Sequence, residues 1–357
     1  MNIKKLAAVL AASVIAVTSV TVTAFAAGTK VPINEKYFPD ENFRKYVSQF
    51  DTNGNGWLSQ KERDAVKEVR VYNMEIKSLK GLKYFKNLET LDCERNYLKG
   101  LDTSTNIRLK KIRCGNNELA SLDLSGNTEL EYFDCGINNF SELDVSNNLK
   151  LKELYCGINE LKELDISKNT ELERLTCESN KLASLDVSNN TKLEYLYCRK
   201  NEITSLDLSN NAKLKLLFCE ENKLTELEVS RNTELKQLFC GENELTKLDV
   251  GNSTKLKDLN CAGNKIKKLD VSKHTELEML YCGENELTKL DVGNSTKLAH
   301  LNCADNKLKR LDVSKNTKLE YLYCIANQLT ELDVSTNIEL ENFYCDDNVK
   351  IIRNKGE

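Results

Sequence analysis

Thirteen cysteines recur at one fixed interval of 21 residues along this chain of 357 residues. They are Cys93, Cys114, Cys135, Cys156, Cys177, Cys198, Cys219, Cys240, Cys261, Cys282, Cys303, Cys324 and Cys345. A strict period of this length is typical of a repeat architecture, in which a single unit cannot bury a core and therefore stacks on its neighbours. The sequence thus predicts a solenoid, although its length alone would suggest two or three globular domains.

Each unit consists of two similar halves of 10 and 11 residues, with the patterns LxxLxCxxNx and LxxLDVSxNTx. Alternate side chains of an extended segment face opposite sides, so Leu and Cys of the first half and Leu and Val of the second are predicted to point inward. Halves this short cannot hold both a helix and a strand. We therefore expect short extended segments and turns on both sides of a stack, with rungs about 4.8 Å apart.

This unit resembles the leucine-rich repeat, whose core is LxxLxLxxNxL. It is similar to the 21-residue class of secreted and surface proteins of bacteria, with Cys in place of the third Leu. The resemblance covers twelve complete units in residues 88–339 and a truncated thirteenth. It implies a mainly parallel β solenoid and a non-catalytic scaffold for a protein partner, serving protein–protein interaction or adhesion at the cell surface.

The first 26 residues have the pattern of a secretory signal peptide. Lys4 and Lys5 precede an apolar run, and Ala24-Phe25-Ala26 supplies the small residues of a cleavage site. We therefore expect a protein that is secreted or extracellular, or loosely associated with the cell wall. Its mildly acidic mature chain disfavours nucleic acid as a partner, and we expect a monomer that does not insert into membranes.

The segment between the signal peptide and the regular repeats is predicted to cover the first rung, because the terminal units of a solenoid need an atypical cap. Residues 27–65 are predicted to form a helical cap, residues 66–87 a degenerate first repeat, and residues 88–357 the repeat domain. Asp40 is placed to N-cap a helix that runs through Phe43 and Val47.

A loop in the cap, Asp51–Glu62, matches the EF-hand pattern D-x-[DN]-x-[DN]-G-x5-E. This resemblance implies Ca²⁺ as the one cofactor that the sequence suggests, held by six oxygen ligands. The implied ligands are Asp51, Asn53, Asn55, the Trp57 carbonyl, Ser59 and Glu62. The alternative is a metal-free turn in which Ser59 and Glu62 form a capping box.

The cysteine column allows three interpretations. Neighbouring rungs place Cα atoms within disulfide range, but side chains in register on parallel strands run side by side, and thirteen is an odd number. A thiolate metal site needs ligands that converge, which a straight column does not provide. The prediction is therefore a column of small, buried, unpaired thiols, with disulfides between rungs as the alternative.

Outward positions beside the cysteines are rich in aromatic residues, seven of the thirteen residues that precede a cysteine being Tyr or Phe. The candidate partner-binding residues are Tyr132, Tyr155, Tyr195, Tyr197, Phe218, Phe239, Tyr281, Tyr321, Tyr323 and Tyr344. An exposed aromatic strip on a rigid sheet is typical of a binding surface. The alternative is that the rings only stack on one another and stiffen the ladder.

The remaining polar columns favour structural roles. Twelve outward carboxylates, from Asp102 to Asp333, are predicted to form a solvated face stabilised by nearby hydroxyls, with a cation-binding ladder as the alternative. His274 stands where the other units have Asn or Ser, and is predicted to be a turn residue. With His300 as the only other histidine, we predict no enzyme activity. Glycan binding or a structural role in the cell envelope remains an alternative, although a single Trp disfavours glycans.

Overall fold

The computed structural model describes residues 30–354, so the predicted signal peptide lies outside the described residues. Two helices form the N-terminal unit, α1 (Glu41–Val47) and α2 (Gln60–Ala65). The side chain of Asp40 accepts a hydrogen bond from Phe43 N at 3.0 Å, which confirms the predicted N-terminal helix. Neither helix of residues 30–354 has the length and apolar character that a membrane span requires.

Two short 3-10 helices, Ser48–Phe50 and Leu82–Tyr84, and eighteen short strands make up the rest of the regular structure of residues 30–354. In the N-terminal unit, β1 (Val31–Pro32) pairs antiparallel with β2 (Trp57–Leu58). The others are β3 (Glu68–Arg70), β4 (Thr90–Asp92), β5 (Lys111–Arg113), β6 (Tyr132–Asp134), β7 (Glu153–Tyr155), β8 (Arg174–Thr176), β9 (Tyr195–Tyr197), β10 (Leu216–Phe218), β11 (Gln237–Phe239), β12 (Asp258–Asn260), β13 (Met279–Tyr281), β14 (His300–Asn302), β15 (Tyr321–Tyr323), β16 (Glu331–Asp333), β17 (Asn342–Tyr344) and β18 (Lys350–Ile352).

One parallel sheet of 14 strands runs the length of the stack, from β3 through β15 to β17. Successive strands from β4 onward pair in register at the 21-residue period, as Leu196 with Leu217 and Leu217 with Leu238. At the C-terminal end, Leu332 of β16 pairs with Ile351 of β18, so the last unit is two residues shorter. The predicted mainly parallel β solenoid is confirmed.

The second halves of the units form much less sheet than the first. Apart from β16 and β18, the described residues contain one isolated bridge on this side, between Glu228 and Asp249. The outward carboxylates on this side bind local backbone donors, as Asp186 Oδ1 accepts from Ser188 N at 2.9 Å. Asp333 of β16 makes the same contact with Ser335 N at 2.9 Å, so this local bond is compatible with strand pairing.

The interior of the stack contains the predicted Leu, Val and Cys columns. Twelve of the thirteen cysteines are buried, Cys345 is partly buried, and all thirteen are free thiols. Burial raises the pKa of the thiols, to about 12 at Cys156, Cys261 and Cys303. The expectation of buried, unpaired cysteines is therefore confirmed.

Two columns of asparagine tie each rung to the one before it. In the first, Asn201 Nδ2 donates to the Cys177, Cys198 and Arg199 carbonyls at 3.0–3.2 Å, while its Oδ1 accepts from Leu182 N. These bonds satisfy backbone groups that the bend would otherwise leave buried without partners.

The second asparagine column is less uniform. Asn211 Nδ2 donates to the Val187 and Asn190 carbonyls at 3.1 and 3.0 Å. The hydroxyl of Ser253 replaces this amide with contacts of 3.3 and 3.4 Å, and His274 is fully buried with Nε2 3.1 Å from the Val250 carbonyl. His274 thus lies inside the stack, in the place of an Asn.

Alternating charges line one edge of the stack. The residue four positions after each cysteine changes from Glu to Lys with every rung between Glu160 and Lys307, so the pattern repeats every 42 residues. Lys223 contacts Glu202 at 2.9 Å, and Lys265 contacts Glu244 at 3.1 Å. Such exposed pairs each contribute about 0–1 kcal/mol, so they favour one stacking order more than they stabilise the fold.

The N-terminal unit covers the first edge of the sheet. The hydroxyl of Tyr46 accepts a hydrogen bond from Arg70 N of β3 at 2.8 Å, and Asp40 Oδ2 accepts from Lys77 N. Phe50 packs edge-on against Phe85 with ring centroids 5.5 Å apart. Backbone groups of the edge strand are thereby paired, and the end of the apolar core is closed.

Candidate binding face

The parallel sheet presents one continuous outer face, formed by the two side chains that flank each inward residue. In β9, Leu196 is buried, whereas Tyr195 and Tyr197 point outward and are half-buried. The same alternation holds in the neighbouring strands. All ten predicted aromatic residues lie on this surface, which we call the sheet face.

Rings on neighbouring rungs pack against each other along the sheet face. Phe218 contacts Tyr197 on one side and Phe239 on the other, with centroid distances of 5.1 and 4.4 Å and edge-on geometry. A second group lies near the C-terminal end, where Tyr323 lies 4.3 Å from Tyr344 and 5.2 Å from Tyr321. Edge-on and offset pairs of this kind add stability beyond the area that they bury.

The aromatic strip is less exposed than the sequence suggested. Of its ten residues only Tyr344 is exposed, at 47%, and the other nine are half-buried. Rungs about 5 Å apart bring each ring into contact with the next, which covers part of its surface. The same side chains therefore stack on one another and keep part of their surface exposed to solvent.

Cations from the chain itself cover some of these rings, a feature that sequence reasoning missed. Lys111 Nζ lies 4.1 Å from the ring centroid of Tyr132, and the Arg174 guanidinium lies 3.9 Å from that of Tyr195. Both cations stand one rung before the ring that they cover, on the same outward column. Comparison of residues 21 apart within that column would have revealed these pairs.

One oxygen of a carboxylate beside the central rings has no hydrogen-bond partner among the described residues. Glu220 follows Cys219 on the sheet face, and its Oε2 is buried without a hydrogen-bond partner among the described residues. Desolvation raises the pKa of Glu220. The next residue differs, because Glu221 pairs with Arg199 at 2.7 Å and this contact lowers its pKa.

The outward carboxylate column on the other side of the stack is internally satisfied. Asp165 Oδ1 accepts from Ser167 N at 2.9 Å, and hydrogen bonds from Ser167 lower the pKa of Asp165. Asp123 and Asp333 show the same shift from the serine two residues later. Backbone and hydroxyl donors thus offset the repulsion between successive rungs.

The predicted calcium loop connects α1 to α2. Gly56 has φ +80°, and its N–H donates to Asp51 Oδ2 at 2.7 Å, so the loop winds around that carboxylate. Ser59 and Glu62 form the full capping box, and Thr52 N and Oγ1 also donate to Glu62 Oε1. These hydrogen bonds, first that from Ser59 N, lower the pKa of Glu62 to about 2.

The donor set of this loop would suit a hard cation, because the six residues predicted as ligands would all offer oxygens, on one twelve-residue turn with glycine at the sixth position. If Ca²⁺ were bound, it would replace the hydrogen bonds that Glu62 now accepts from Thr52. In residues 30–354 no three His, Cys, Asp or Glu side chains converge as a metal site, so the loop would depend on amide, hydroxyl and carbonyl oxygens as well.

Stacked 21-residue rungs, with inward leucines and asparagines bonded across rungs, define a leucine-rich repeat solenoid. The chain is similar to the functional domain of InlJ from Listeria monocytogenes, which includes a cysteine ladder. The two share 34% identity and a TM-score of 0.79, over 89% of this chain and 76% of that one. The chain belongs to the bacterial leucine-rich repeat proteins that include the internalins.

Two further solved structures share the fold. The internalin InlF from Listeria monocytogenes is 24% identical with a TM-score of 0.80, over 89% of this chain and 98% of that one. The effector YopM from Yersinia pestis is 22% identical with a TM-score of 0.65, over 88% and 94%. No family model and no curated protein matches the chain.

Proposed function

We propose that the chain is a secreted, non-catalytic scaffold that binds a protein partner through the sheet face. The observation that carries this proposal is the row of outward aromatic side chains on a rigid parallel sheet. Solenoids use their extended surfaces for binding, and aromatic residues dominate the energetics of protein interfaces. The signal-peptide pattern and the relation to InlJ support export and action at the cell surface.

The other outward columns of the stack support the choice of the sheet face, because their charged groups are already paired with neighbouring groups of the same chain. The carboxylate column accepts backbone donors, as Asp207 does from Ser209 N. The alternating edge pairs Lys with Glu across rungs. The sheet face combines an apolar row of rings with polar and charged side chains beside it, an arrangement typical of an interface with an apolar core and a polar rim.

The state of the nucleophilic groups disfavours catalysis. The interior thiols have raised pKa values, so little thiolate forms near neutral pH. His274 is buried, and His300 stacks on Tyr321 with centroids 6.0 Å apart. Neither arrangement supplies an activated nucleophile with an adjacent base.

A capture experiment tests the proposal. Immobilised protein is incubated with envelope and host-cell extracts, in parallel with a variant carrying Tyr197→Ala, Phe218→Ala and Phe239→Ala. We expect the variant to lose the captured partner while it retains a cooperative thermal transition. The control replaces exposed apolar residues off the sheet face, Tyr97→Ala with Ile107→Ala, and should capture as the parent does. Equal capture by all three proteins would contradict the proposal.

We propose as a separate property that the Asp51–Glu62 loop binds Ca²⁺ and stabilises the cap. Support comes from the oxygen donor set and from the positive φ of Gly56. Added CaCl₂ should raise the melting temperature above that in EDTA, and Glu62→Gln should remove the increase. Asp64→Asn, which changes a neighbouring carboxylate bonded to Gln60, should keep it. No calcium effect on the parent protein would refute the site.

A further inference from the structure

The two residues that follow each cysteine form a border along one side of the sheet face, and the charge of this border changes along the stack. From Cys93 to Cys198 it contains two acidic and three basic residues. From Cys219 onward it contains seven acidic residues and no basic one. These seven, which we call the acidic border, are Glu220, Glu221, Glu242, Glu284, Asp305, Asp346 and Asp347.

Most of the acidic border has no counter-charge within the described chain. Glu221 is paired with Arg199 and Lys200, but Glu242, Glu284 and Asp305 are exposed and take part in no ion pair of residues 30–354. The lysines on the opposite side of the sheet face do not neutralise it either. Lys257, for example, pairs with Glu278 at 2.9 Å.

Cations of the chain cover sheet-face rings in the N-terminal half of the strip, where Lys111 lies over Tyr132 and Arg174 over Tyr195. Tyr155 and Tyr197, in the same half, have no such cation among the described residues. Among the described residues, no lysine or arginine lies over the rings of Phe218, Phe239, Tyr281, Tyr323 or Tyr344. The rings beside the acidic border therefore keep faces that a cation from another molecule can occupy.

Glu220 connects these two observations. It lies two residues after Phe218 on the same outward side, and its buried Oε2 lacks a hydrogen-bond partner in the described chain. Oε2 itself is shielded from solvent, but the Glu220 side chain as a whole is only half-buried. Its exposed part adds a carboxylate to the side of the ring column, and a guanidinium or ammonium group is the donor that pairs best with a carboxylate.

We propose that the partner of the sheet face is a basic polypeptide surface, whose Arg or Lys side chains lie between the aromatic strip and the acidic border from Phe218 to Tyr344. This inference rests on the proposed function and specifies the chemistry of the partner. Arginine suits the position best, because its planar group stacks on a ring and donates to a carboxylate at the same time.

Fluorescence anisotropy with three labelled seven-residue peptides, of arginine, glutamine and glutamate, tests the inference. The arginine peptide should bind, and the other two should not. The border variant Glu242→Gln, Glu284→Gln, Asp305→Asn should weaken arginine-peptide binding about tenfold. A matched variant in the carboxylate column, Asp165→Asn, Asp186→Asn, Asp207→Asn, removes the same charge and should bind as the parent does.

Two outcomes would overturn the inference. Equal weakening by both charge variants would mean that the peptide responds only to net charge, and binding by the glutamine peptide would mean that cations are not required. Capture of the natural partner by the two variants distinguishes a failure of this inference from a failure of the proposed function. If the aromatic variant loses that partner and the border variant keeps it, the sheet face binds but its partner is not basic. If the aromatic variant keeps it, the proposed function itself fails.

Discussion

Thr103 donates its hydroxyl hydrogen to Oδ1 of Asn127 at 2.8 Å, in the next rung of the stack. Elsewhere in the second asparagine column this oxygen is buried and has no hydrogen-bond partner within residues 30–354. The affected residues are Asn106, Asn148, Asn169, Asn190, Asn211, Asn232, Asn316 and Asn337. Thr103 lies 24 positions before Asn127, and the residue 24 positions before each of these other asparagines is apolar, for example Leu124 before Asn148. These oxygens therefore lack the hydroxyl that Thr103 provides, and a single substitution to Thr could supply it.

Val187→Thr should therefore cost little stability, although a hydroxyl is usually costly at a buried valine. The introduced hydroxyl would face Asn211 Oδ1 as that of Thr103 faces Asn127, and the new hydrogen bond would offset its burial. Val229→Thr is the matched control, because the residue 24 positions later is Ser253. We expect the control to cost about 1–3 kcal/mol and Val187→Thr at least about 1 kcal/mol less, measured by urea denaturation.

A double-mutant cycle extends this comparison to the weak part of the column. Ser253→Asn added to Val229→Thr recreates the hydroxyl–amide pair at a position where the chain lacks it. The two changes should be coupled favourably by about 1–2 kcal/mol. Additive effects would show that Thr103 and Asn127 depend on some local feature of the first rungs instead of on the pair itself.

Glu220→Gln should stabilise the free protein near neutral pH, because desolvation raises the pKa of this carboxyl and so penalises its charged form. A folded-state pKa above the unfolded one means that stability falls as pH rises through the unfolded pKa and then the folded one. The gain should be of order 0.5 kcal/mol, because solvent still reaches the half-buried group and screens it. It should vanish at pH values low enough to protonate Glu220 in both states.

The neighbouring substitution provides the control for this pH effect. Glu221 pairs with Arg199, which lowers its pKa, so Glu221→Gln should be neutral or slightly destabilising at pH 7. Melting temperatures of both variants and the parent from pH 3 to 8 would test the difference. A stability gain from Glu221→Gln equal to that from Glu220→Gln would point to general charge reduction.

Alkylation of the native protein should modify Cys345 first and leave the other thiols unmodified. Only the thiolate reacts, and burial raises the pKa of the interior cysteines. Mass spectrometry after brief iodoacetamide treatment should find at most one label per molecule, and thirteen after denaturation. Cys345→Ser should remove the native label. Early labelling of Cys198 would indicate that the stack opens locally.

The period of the sequence predicted the inward columns because burial depends on which side of an extended segment a residue occupies. Cys198 and Leu196 are buried for this reason. The asparagines that follow the cysteines recur at the same period and bond backbone groups, as Asn201 does with the Cys198 carbonyl. The contacts of the outward side chains were harder to predict from the sequence, because each depends on the residue that occupies the same column in the next rung. Arg174 covers Tyr195 only because strands β8 and β9 lie in register.

Two further features needed the three-dimensional structure. Ladder bonds are few on the second side, and the alternation of inward and outward residues, which is the same in both halves of a unit, does not reveal this difference. The unpaired Oε2 of Glu220 was also unexpected, since the sequence gives no sign that its neighbours bury one of its oxygens. The proposed basic partner follows from the acidic border and from the rings beside it that no cation of the described chain covers.

The alternation of Glu and Lys along the edge of the stack restricts how this protein can change in length. Gly241–Leu256 and Gly283–Leu298 are the same sixteen residues, 42 positions apart. Inserting one 21-residue unit there would place like charges opposite each other, whereas inserting two would preserve every pair. Adding or removing an even number of 21-residue units therefore keeps every Glu–Lys pair, whether the change arises in evolution or by design.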